Sequence, residues 1–514
     1  MKKTICLMLI LAMALSVMLF GCTPDNGEAS SADTSSTEVS KEEQDIKGYN
    51  SETGKYEYEI PEGTMYSGEF KFLTCGVNQD HESEIVYNVY EDGASEGMAT
   101  HVNEAILERN NLVEEKLGVT ITEEYVYDAK RYNGVFYNRI RTDRISNSAD
   151  YQVVVPCLYD GANLAIIGEL LDLNEIVDTE YPWWSQPMNE DCTVNGRLYF
   201  TLSDIGYITM SNVPALAFNQ KWIEQYHLDD PYQLVRDHEW TIDKVLEMVK
   251  TYKEDTDSDN KTTYRDIFGW SGQLDDMWSM FYGTGEKIAK IGSDGYPVLS
   301  LFNDRSVGVM SKLQELVQNK DYYVSANDYF GEAQWPTVLT QGAFIEGRCL
   351  FYNGSLGSTS EYARMSDDFG LLPMPLYDEN QESYYSLANP WTCTCFGVPT
   401  SVLQNGTDLN MVRDVLEYMG ATSKNLLENA FVNIVLEDQK TRDEATPEMI
   451  KEYILPGRGC DFGMIFNLVQ INGNDILHYM ASAPKDSFAS TYDSAKDSAQ
   501  TKLDQTIGYF KDLE

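Results

Sequence analysis

The sequence predicts an α/β fold with parallel sheets, and the order of its segments carries that prediction. Apolar, β-branched segments alternate with helical segments in the first third of the chain. We expect strands at 69–75, 119–127 and 151–156, with helices at 100–117 and 132–146 between them. Because consecutive parallel strands need a long crossover connection, this alternation favours a parallel sheet.

A second set of elements follows in the middle of the chain. The apolar run 216–218 suits a buried strand, and Asn219 can cap a helix over 221–227. Thr241 is a predicted N-cap for a helix whose apolar residues recur every three or four positions. A short strand is expected at 267–270. The C-terminal third is predicted to be helical, with an apolar face made of Phe488, Tyr492, Ala495, Ala499, Leu503, Ile507 and Phe510.

Composition narrows the classes of partner. The chain has 514 residues, enough for two large lobes or three ordinary domains, and a formal charge of −44. That charge repels nucleic-acid phosphates and anionic lipid surfaces, so we exclude both as partners. Aromatic residues make up 12% of the chain, including 34 Tyr and 8 Trp. The sequence therefore predicts a well-packed globular protein with abundant aromatic surface.

The N-terminus indicates export. Lys2 and Lys3 precede the apolar stretch 5–20, which is too short to span a membrane and is followed by polar sequence. The motif L-F-G-C at 19–22 resembles a bacterial lipobox, so we predict a signal peptide over 1–21 and acylation of Cys22. A plain secreted protein is the alternative. Ser, Thr, Asp and Glu dominate residues 23–55, and we predict a disordered tether over 22–66.

These features place the predicted globular body at the outer face of a cell membrane. After removal of the signal peptide and acylation of Cys22, seven cysteines remain at scattered positions. An odd number without regular spacing favours buried reduced thiols over a disulfide framework. The seven are Cys75, Cys157, Cys192, Cys349, Cys393, Cys395 and Cys460.

An acidic loop after the Thr241 helix predicts a structural Ca²⁺ site. Oxygen-bearing residues occupy the alternate positions that a twelve-residue calcium loop uses, and Asn260 stands where glycine is usual. The predicted ligands are Asp255, Asp257, Asp259, the Lys261 carbonyl, Thr263 and Asp266. The alternative is a solvated acidic turn that binds no ion.

Several motifs together resemble a known family. They are A-D-Y-Q-V-V-V at 149–155, F-N-Q-K at 218–221, W-T-I-D-K at 240–244, F-G-W at 268–270, F-I-E-G-R-C-L-F-Y-N-G-S at 344–355 and F-G-L-L-P-M-P at 369–375. Their order resembles extracellular solute-binding protein family 1, the maltose-binding-protein-like lipoproteins of ABC sugar importers, in its clostridial form. The resemblance covers about residues 67–514, and it also supports Ca²⁺ in the acidic loop.

The resemblance implies a periplasmic-binding-protein-like fold, with two α/β lobes joined by a hinge around a central ligand cleft. It assigns residues 67–212 and 346–402 to lobe I, and residues 213–345 and 403–514 to lobe II. It also implies that a monomer closes on its solute and then docks on ABC transporter permease subunits. The expected solute is a carbohydrate, specifically an oligosaccharide.

Four tryptophans are the leading ligand candidates, because aromatic rings stack on the apolar faces of sugars. Trp270 ends a predicted strand, Trp278 and Trp335 begin predicted helices, and the resemblance implies that Trp391 lies in a connection that lines the cleft. Asp275, between the first two, can bind hydroxyls, and the strand ends add Tyr159, Asp160, Tyr352 and Asn353. A core position is the alternative for each tryptophan. Trp222 and Trp240 are expected in the core, while Trp183 and Trp184 suit either packing or a ligand rim.

Three other functions stay open. Motifs of metallopeptidases, serine hydrolases and phosphate-binding loops are absent from the sequence. A glycan hydrolase is still possible, because its paired carboxylates form a spatial and not a sequential signature. A sensor partner that presents a ligand to a membrane kinase and a peptide-binding lipoprotein are the others. The favoured prediction is a binding protein without enzymatic activity.

Overall fold

The computed structural model describes residues 46–76, 83–87, 98–128, 130–131, 134–250, 253–437 and 444–513. Residues 46–514 form one compact unit. The predicted signal peptide, Cys22 and the first part of the predicted tether lie outside the described residues. Among the helices that the structure describes, none is both long and apolar enough to cross a membrane.

The strands are numbered along the chain as follows: β1 (Tyr49–Asn50), β2 (Lys55–Tyr56), β3 (Gly68–Gly76), β4 (Val119–Tyr127), β5 (Val153–Val155), β6 (Pro214–Asn219), β7 (Lys253–Glu254), β8 (Ile267–Gly272), β9 (Ala289–Ile291), β10 (Pro297–Leu299), β11 (Tyr323–Ser325), β12 (Cys349–Ser355), β13 (Phe369–Leu372), β14 (Ser386–Leu387), β15 (Arg458–Gly459), β16 (Gln470–Ile471) and β17 (Asn474–Asp475).

The α-helices are α1 (Met98–Leu117), α2 (Val135–Ser146), α3 (Leu158–Ile166), α4 (Gln186–Cys192), α5 (Ile208–Ser211), α6 (Gln220–Tyr226), α7 (Pro231–Arg236), α8 (Ile242–Lys250), α9 (Asp276–Gly283), α10 (Asp304–Gln318), α11 (Thr337–Ile345), α12 (Thr359–Tyr362), α13 (Leu409–Glu437), α14 (Ala445–Glu448), α15 (Phe462–Ile465), α16 (Ile476–Ser482) and α17 (Phe488–Asp512). Short 3-10 turns and one π-helical turn, Met449–Ile454, complete the elements.

The first sheet is parallel and has the order β4-β3-β5. Helix α1 connects β3 to β4, and α2 connects β4 to β5, as the alternation of segments predicts. Apolar side chains of β3 and β5, Phe70, Phe72, Val153 and Val155, are fully buried in one core cluster. The predicted α/β class is therefore confirmed for this part of the chain.

The second sheet is mixed. Its order is β11-β8-β12-β6-β13, with β7 paired to β8. Strands β11, β8 and β12 are parallel to one another, whereas β6 runs antiparallel to both β12 and β13. Strand β6 follows a chain segment of the first sheet region. It enters the second sheet with its direction opposite to that of β12 and β13. The α/β class is confirmed here as well.

The structure corrects the predicted division of the chain. Residues 346–402 were assigned to lobe I, but β12 and β13 pair with β6 and so belong to the second sheet. The chain returns to the first sheet only at Thr394–Gly397, where Thr394 pairs with Cys157 and Gly397 pairs with Val154. The motif at 344–355 does not indicate which of the two sheets this strand joins, because a buried apolar strand suits either sheet.

The C-terminal helices also differ from the prediction. Val412, Val415 and Leu416, in the first turns of α13, pack in the core cluster of the first sheet, although residues 403–514 were assigned to lobe II. Helix α17 buries the predicted apolar face, with Ile507 only partly buried. Its last turns reach back to the first region, where the Phe510 and Tyr199 ring centroids lie 5.7 Å apart. Helices α13 and α17 are long enough to contact the regions of both sheets.

The predicted tether is too long at its C-terminal end. Residues 46–66 pack on the body, beginning with the hairpin of β1 and β2. The Asn425 side chain of α13 accepts a hydrogen bond from the Tyr56 backbone N–H at 2.9 Å and donates one to the Tyr56 carbonyl at 2.7 Å. Tyrosines in this segment supply apolar surface that packs on the body. The segment is therefore ordered, although its overall composition is polar.

The seven cysteines that the structure describes are all buried and unbonded to one another, as expected. Trp240 is fully buried and Trp222 nearly so, which confirms both core assignments. Trp183 and Trp184 are buried too, and each indole N–H donates to the Glu417 carboxylate. Packing is therefore the role of this pair.

We expect Asn425→Ala to lower the free energy of unfolding by about 1–3 kcal/mol, because it removes both bonds to the Tyr56 backbone. Urea denaturation of the two proteins measures the difference. Asn111→Ala is the control, since Asn111 is an exposed amide on α1. Equal stability of Asn425→Ala and the wild-type protein would show that the N-terminal hairpin contributes nothing.

Candidate functional site

A cleft of about 390 Å³ lies at the carboxyl ends of the parallel strands of the second sheet. Strand β8 leads into its wall through Gln273, and the end of β12 contributes Asn353. Helix α11 adds Thr337 and Gln341, one turn apart on the same face. Ligands of open α/β sheets bind at this edge, because the connections after the strands leave a crevice there.

Segments that connect the two sheets complete the wall of the cleft. Asn212 stands immediately before β6, and Asn389 and Thr392 stand just before the return to the first sheet. The Asn212 amide donates to the Thr392 carbonyl at 3.1 Å, which joins the two connections. The cleft therefore lies where the chain passes between the sheets.

The lining is dominated by uncharged polar side chains. Amides and hydroxyls each offer donors and acceptors, so together they can satisfy a ligand that carries many hydroxyl groups. The amides are Asn212, Gln273, Gln341, Asn353 and Asn389, and the hydroxyls are Ser279, Thr337, Ser355, Ser358 and Thr392.

Charge in the cleft has one sign. Asp275 and Asp276 are the carboxylates of the lining, and no Lys, Arg or His is present among the described residues that form it. The side chain of Asp275 is half exposed. An anionic ligand would thus find no basic side chain in the described lining to pair with, which disfavours its entry.

Asp276 sits at the inner wall and is almost fully buried. Its Oδ2 accepts hydrogen bonds from Trp270 Nε1 and from the Tyr323 hydroxyl, both at 3.0 Å. Burial raises the pKa of Asp276 to about 7, although these two bonds act in the opposite direction. At neutral pH the carboxyl is thus partly protonated.

Two aromatic side chains line the cleft. Trp278 of α9 donates its indole N–H to Asp475 Oδ1 at 2.7 Å, and its ring stacks on His478 with centroids 4.6 Å apart. One face of the indole is therefore covered. Tyr352 of β12 packs against Phe344, and among the described residues its hydroxyl has no hydrogen-bond partner.

Asn353 is held in place by its neighbour. Its side-chain amide donates to the Ser279 hydroxyl at 2.9 Å, which links the end of β12 to α9. The next residue, Gly354, also lines the cleft, and a Cβ there would lie 2.0 Å from the Tyr362 hydroxyl and 3.0 Å from the Tyr352 ring. Glycine is required because the strand runs directly over these two rings.

Of the predicted ligand residues, Asp275, Trp278, Tyr352 and Asn353 are brought together in this cleft. Trp270 is not available, contrary to the prediction. It is fully buried, its N–H is bound to Asp276, and its ring packs on Phe351. Successive side chains of β8 point to opposite faces of the sheet, and the side chain at position 270 points into the core.

Tyr159 and Asp160 are also misassigned to the cleft. Both are buried in the first turn of α3, and Tyr159 N–H donates to the Pro390 carbonyl at 3.3 Å. Asp160 Oδ2 accepts from the Cys157 thiol. The returning segment around residue 394 covers this end of the first sheet, so the side chains there are closed off from solvent.

Trp391 and Trp335 lie close in sequence to lining residues but do not line the cleft themselves. Trp391 is 48% exposed, and the Arg131 guanidinium stacks on its ring at 4.8 Å. Arg131 also donates to the Trp391 carbonyl at 2.9 Å. Trp335 is 68% exposed and precedes Thr337 by two residues. A ligand contact by either ring stays a prediction.

Sequence reasoning missed most of the polar lining. Gln341, Asn389 and Ser279 are ordinary residues without a motif, and only the strand pairing brings them together. One local signal existed, because Thr337 and Gln341 are four residues apart and so lie on one helix face. His478 and Asp475 were overlooked because they lie far from Trp278 in sequence.

The acidic loop fits part of the predicted metal site. Carboxylate oxygens of Asp255, Asp257 and Asp259 can all lie within 4.8 Å of one another, a spacing that suits ligands about one Ca²⁺. Ser258 and Asn260 have positive φ, which folds the loop tightly. These three carboxylates would hold the ion, and their role stays a prediction.

Asp266 is not among the three carboxylates that can approach one ion, and its part in the predicted ligand set stays a prediction. Both of its oxygens accept hydrogen bonds from the chain, Oδ1 from Thr256 and Oδ2 from Thr263, at 2.9–3.0 Å. Burial acts to raise the pKa of Asp266, but these bonds outweigh it and lower the pKa. The Thr263 hydroxyl is occupied by the same bond. Asp266 therefore fastens the loop to the body.

No protein-family model and no curated protein matches the sequence. Solved structures are similar to this one. A substrate-binding protein of an ABC transporter from Listeria monocytogenes, in complex with cycloalternan, is 12% identical with a TM-score of 0.46, covering 86% of this chain and all of its own. A cyclo/maltodextrin-binding protein with maltotetraose is 13% identical with a TM-score of 0.48, covering 86% and 96%. UgpB from Mycobacterium tuberculosis, with glycerophosphocholine, is 15% identical with a TM-score of 0.46, covering 86% and 100%.

Asp276 should make stability depend on pH. Its pKa is about 7 in the folded protein and 3.8 in the unfolded chain, so between these values only the folded state keeps the proton. Stability contributed by Asp276 is therefore lost as the pH rises from about 4 to about 7. We expect the wild-type protein to lose about 2–4 kcal/mol relative to Asp276→Asn over this range.

Urea denaturation at a series of pH values measures this difference. Asp497→Asn, on the exposed side of α17, is the control and should follow the wild-type protein at every pH. Parallel curves for Asp276→Asn and the wild-type protein would mean that Asp276 titrates like a solvated carboxyl.

Proposed function

We propose that this protein is an extracellular solute-binding protein that captures a neutral carbohydrate. The observation that carries the proposal is the lining of the cleft, in which amide and hydroxyl side chains surround one tryptophan and no basic side chain is present among the described residues. Sugar hydroxyls both donate and accept hydrogen bonds, so they match this lining group by group.

The cleft also disfavours other ligand classes. Phosphorylated sugars and uronic acids carry negative charge, and the described lining holds no basic side chain that could pair with it. Peptide ligands need groups for their charged termini, and the described lining offers a carboxylate for the amino end but no cation for the carboxyl end. A neutral oligosaccharide has neither an anionic group nor charged termini, so neither argument excludes it.

Hinge closure is the proposed mechanism. Asn212 and Thr392 lie on the two segments that pass between the sheets, and both line the cleft. A ligand bound there touches the connections directly. Contacts made only when the two sheets approach would then stabilise the closed form, which is how a ligand shifts such an equilibrium.

Delivery of the solute to an ABC transporter permease is part of the same proposal. The sequence supports it through the lipobox-like motif ending at Cys22 and through the resemblance to sugar-import lipoproteins. We propose a lipid-anchored monomer at the outer face of the membrane, without enzymatic activity. A hydrolase would instead release products from the glycan that it binds.

A melting panel tests the ligand class. Neutral mono- and oligosaccharides, including maltose and maltotetraose, are compared with galacturonate oligomers, glucose 6-phosphate and short peptides. A neutral glycan at about 100 times its dissociation constant should stabilise the protein by roughly 2.7 kcal/mol, and the anionic compounds should not. Asn353→Ala and Gln341→Ala should each reduce the shift, because each removes a side chain that lines the cleft.

Gln233→Ala is the matched control, since Gln233 is an exposed amide on α7 away from the cleft. Its response should equal that of the wild-type protein. Chromatography of the recovered glycan checks that it is unchanged. Stabilisation by the anionic compounds or peptides instead, or the appearance of shorter glycans, would contradict the proposal.

We also propose that Asp255, Asp257 and Asp259 bind a structural Ca²⁺. Adding Ca²⁺ to the chelator-treated protein should raise the melting temperature, while Mg²⁺ should have little effect because it requires six ligands in a strict octahedron. Asp257→Asn should abolish the rise. Asp294→Asn, in another exposed acidic turn, should leave it intact. An equal rise in Asp257→Asn would show that Ca²⁺ acts elsewhere.

A further inference from the structure

His478 lies directly behind the cleft and touches two of the residues that line it. Its ring stacks on Trp278 with an interplanar angle of 5° and a centroid distance of 4.6 Å. His478 Nε2 lies 3.0 Å from Asp275 Oδ1, and Nδ1 lies 2.8 Å from Asp475 Oδ2. The imidazole does not line the cleft. Any effect it has on a ligand must pass through Trp278 and Asp275.

The positions of the two nitrogens determine the protonation state of the ring. A neutral imidazole carries one N–H and one lone pair, and the lone pair would then face a carboxylate oxygen. Both nitrogens of His478 have a carboxylate oxygen within 3.0 Å. Only the imidazolium, with two N–H groups, makes both contacts attractive. His478 Nε2 makes no hydrogen bond to Asp275, so that contact is an ion pair.

Asp475 fixes the other side of this arrangement. Its Oδ1 accepts from Trp278 Nε1 at 2.7 Å and from the backbone N–H groups of Leu477 and His478 at 3.0 Å each. One carboxylate therefore holds the edge of the indole, the start of α16 and the imidazole. Burial acts to raise the pKa of Asp475, but the bonds from His478 and Trp278 outweigh it and lower the pKa.

Asp275 and Asp475 are the charged groups at ion-pair distance from His478 in the described part of the chain. Helix α10 packs against both α9 and α16. Its side chains Arg305, Lys312 and Glu315 are bound to Glu286, Asp243 and Lys250, respectively. The imidazolium is thus balanced by two carboxylates from two different elements. Burial lowers the pKa of His478, but the two carboxylates more than offset this and raise it to about 9.

We propose that His478 is a positioning residue of the cleft, which as an imidazolium holds the Trp278 ring and the Asp275 carboxylate in the orientation that a ligand meets. This inference rests on the proposed function, because it treats the cleft as the ligand site. It assigns the cleft a residue that no sequence motif indicates. It also makes the shape of the cleft depend on one proton.

The pH dependence follows from the sign of the shift. The folded protein binds the His478 proton more tightly than the unfolded chain, whose histidine has a pKa near 6.5. Stability and cleft geometry that depend on this proton are fully present below about pH 6.5, and they are lost as the pH rises through about 9. The cleft therefore keeps its form at neutral pH and loosens in alkaline solution.

Nuclear magnetic resonance of the histidine rings tests the inference without any ligand. In the wild-type protein, we expect the His478 ring to titrate near pH 9, and the Trp278 indole N–H resonance to move with the same midpoint. Asp475→Asn and Asp275→Asn should each shift that midpoint by at least one unit toward lower pH. His478→Gln should leave the Trp278 resonance independent of pH between 7 and 10.

His101→Gln is the matched control, because His101 is an exposed histidine on α1, beside Glu104. It should leave the titration of His478 and the Trp278 resonance unchanged. Thermal melting gives a second readout: the wild-type protein and His101→Gln should both lose stability between pH 8 and 10, and His478→Gln should lose less. A purely structural role would lower the melting temperature of His478→Gln equally at every pH.

Titration of His478 near pH 6.5, or a Trp278 resonance that does not follow it, would overturn the inference. These results do not depend on the glycan panel. A panel in which no glycan stabilises the protein would contradict the proposed function, while the resonance measurements would still decide whether His478 orients Trp278 and Asp275.

Discussion

The two passages of the chain between the sheets are the constraint on which the rest of the structure depends. One passage leads through Asn212 into β6, and the other leads through Thr392 to the residues that pair with the end of β5. A hydrogen bond between Asn212 and Thr392 joins them. Since β6 enters the second sheet antiparallel to β12, the first passage ends beside the carboxyl ends of β8 and β12. The cleft lies there because these features meet.

Two buried carboxylates are bound by basic side chains. Asp204, fully buried, is bound by Lys424 at 3.1 Å and by Arg458, and these two residues come from α13 and β15. Burial alone would raise the pKa of Asp204, but the two cations lower it. Asp191 is likewise paired with Lys287. Each of these two buried carboxylates has a basic partner, and removal of that partner would leave an unpaired buried charge, which is strongly destabilising.

Sequence reasoning located strands and helices well where periodicity was long and regular. Strand β4 and helix α1 begin and end close to their predicted residues, and α17 carries the predicted apolar face. The pairing of strands was harder to predict. The apolar segment 349–355 suits the interior of any sheet, and its sequence does not indicate which strand lies beside it. Trp270 illustrates the same limit at the site. Its strand and its position at the strand end were predicted, but the face on which its ring lies depends on the pairing of β8 with β12.

The sequence by itself determined the α/β class, the order of elements, the burial of the seven described cysteines and four of the residues that meet in the cleft. These follow from local patterns, since alternation, capping and apolar periodicity act over a few residues. Only the tertiary structure decided which sheet each strand joins, which amides face the cleft and how His478 reaches Trp278. Those contacts join residues up to 200 positions apart, and their energies arise only after the chain has folded.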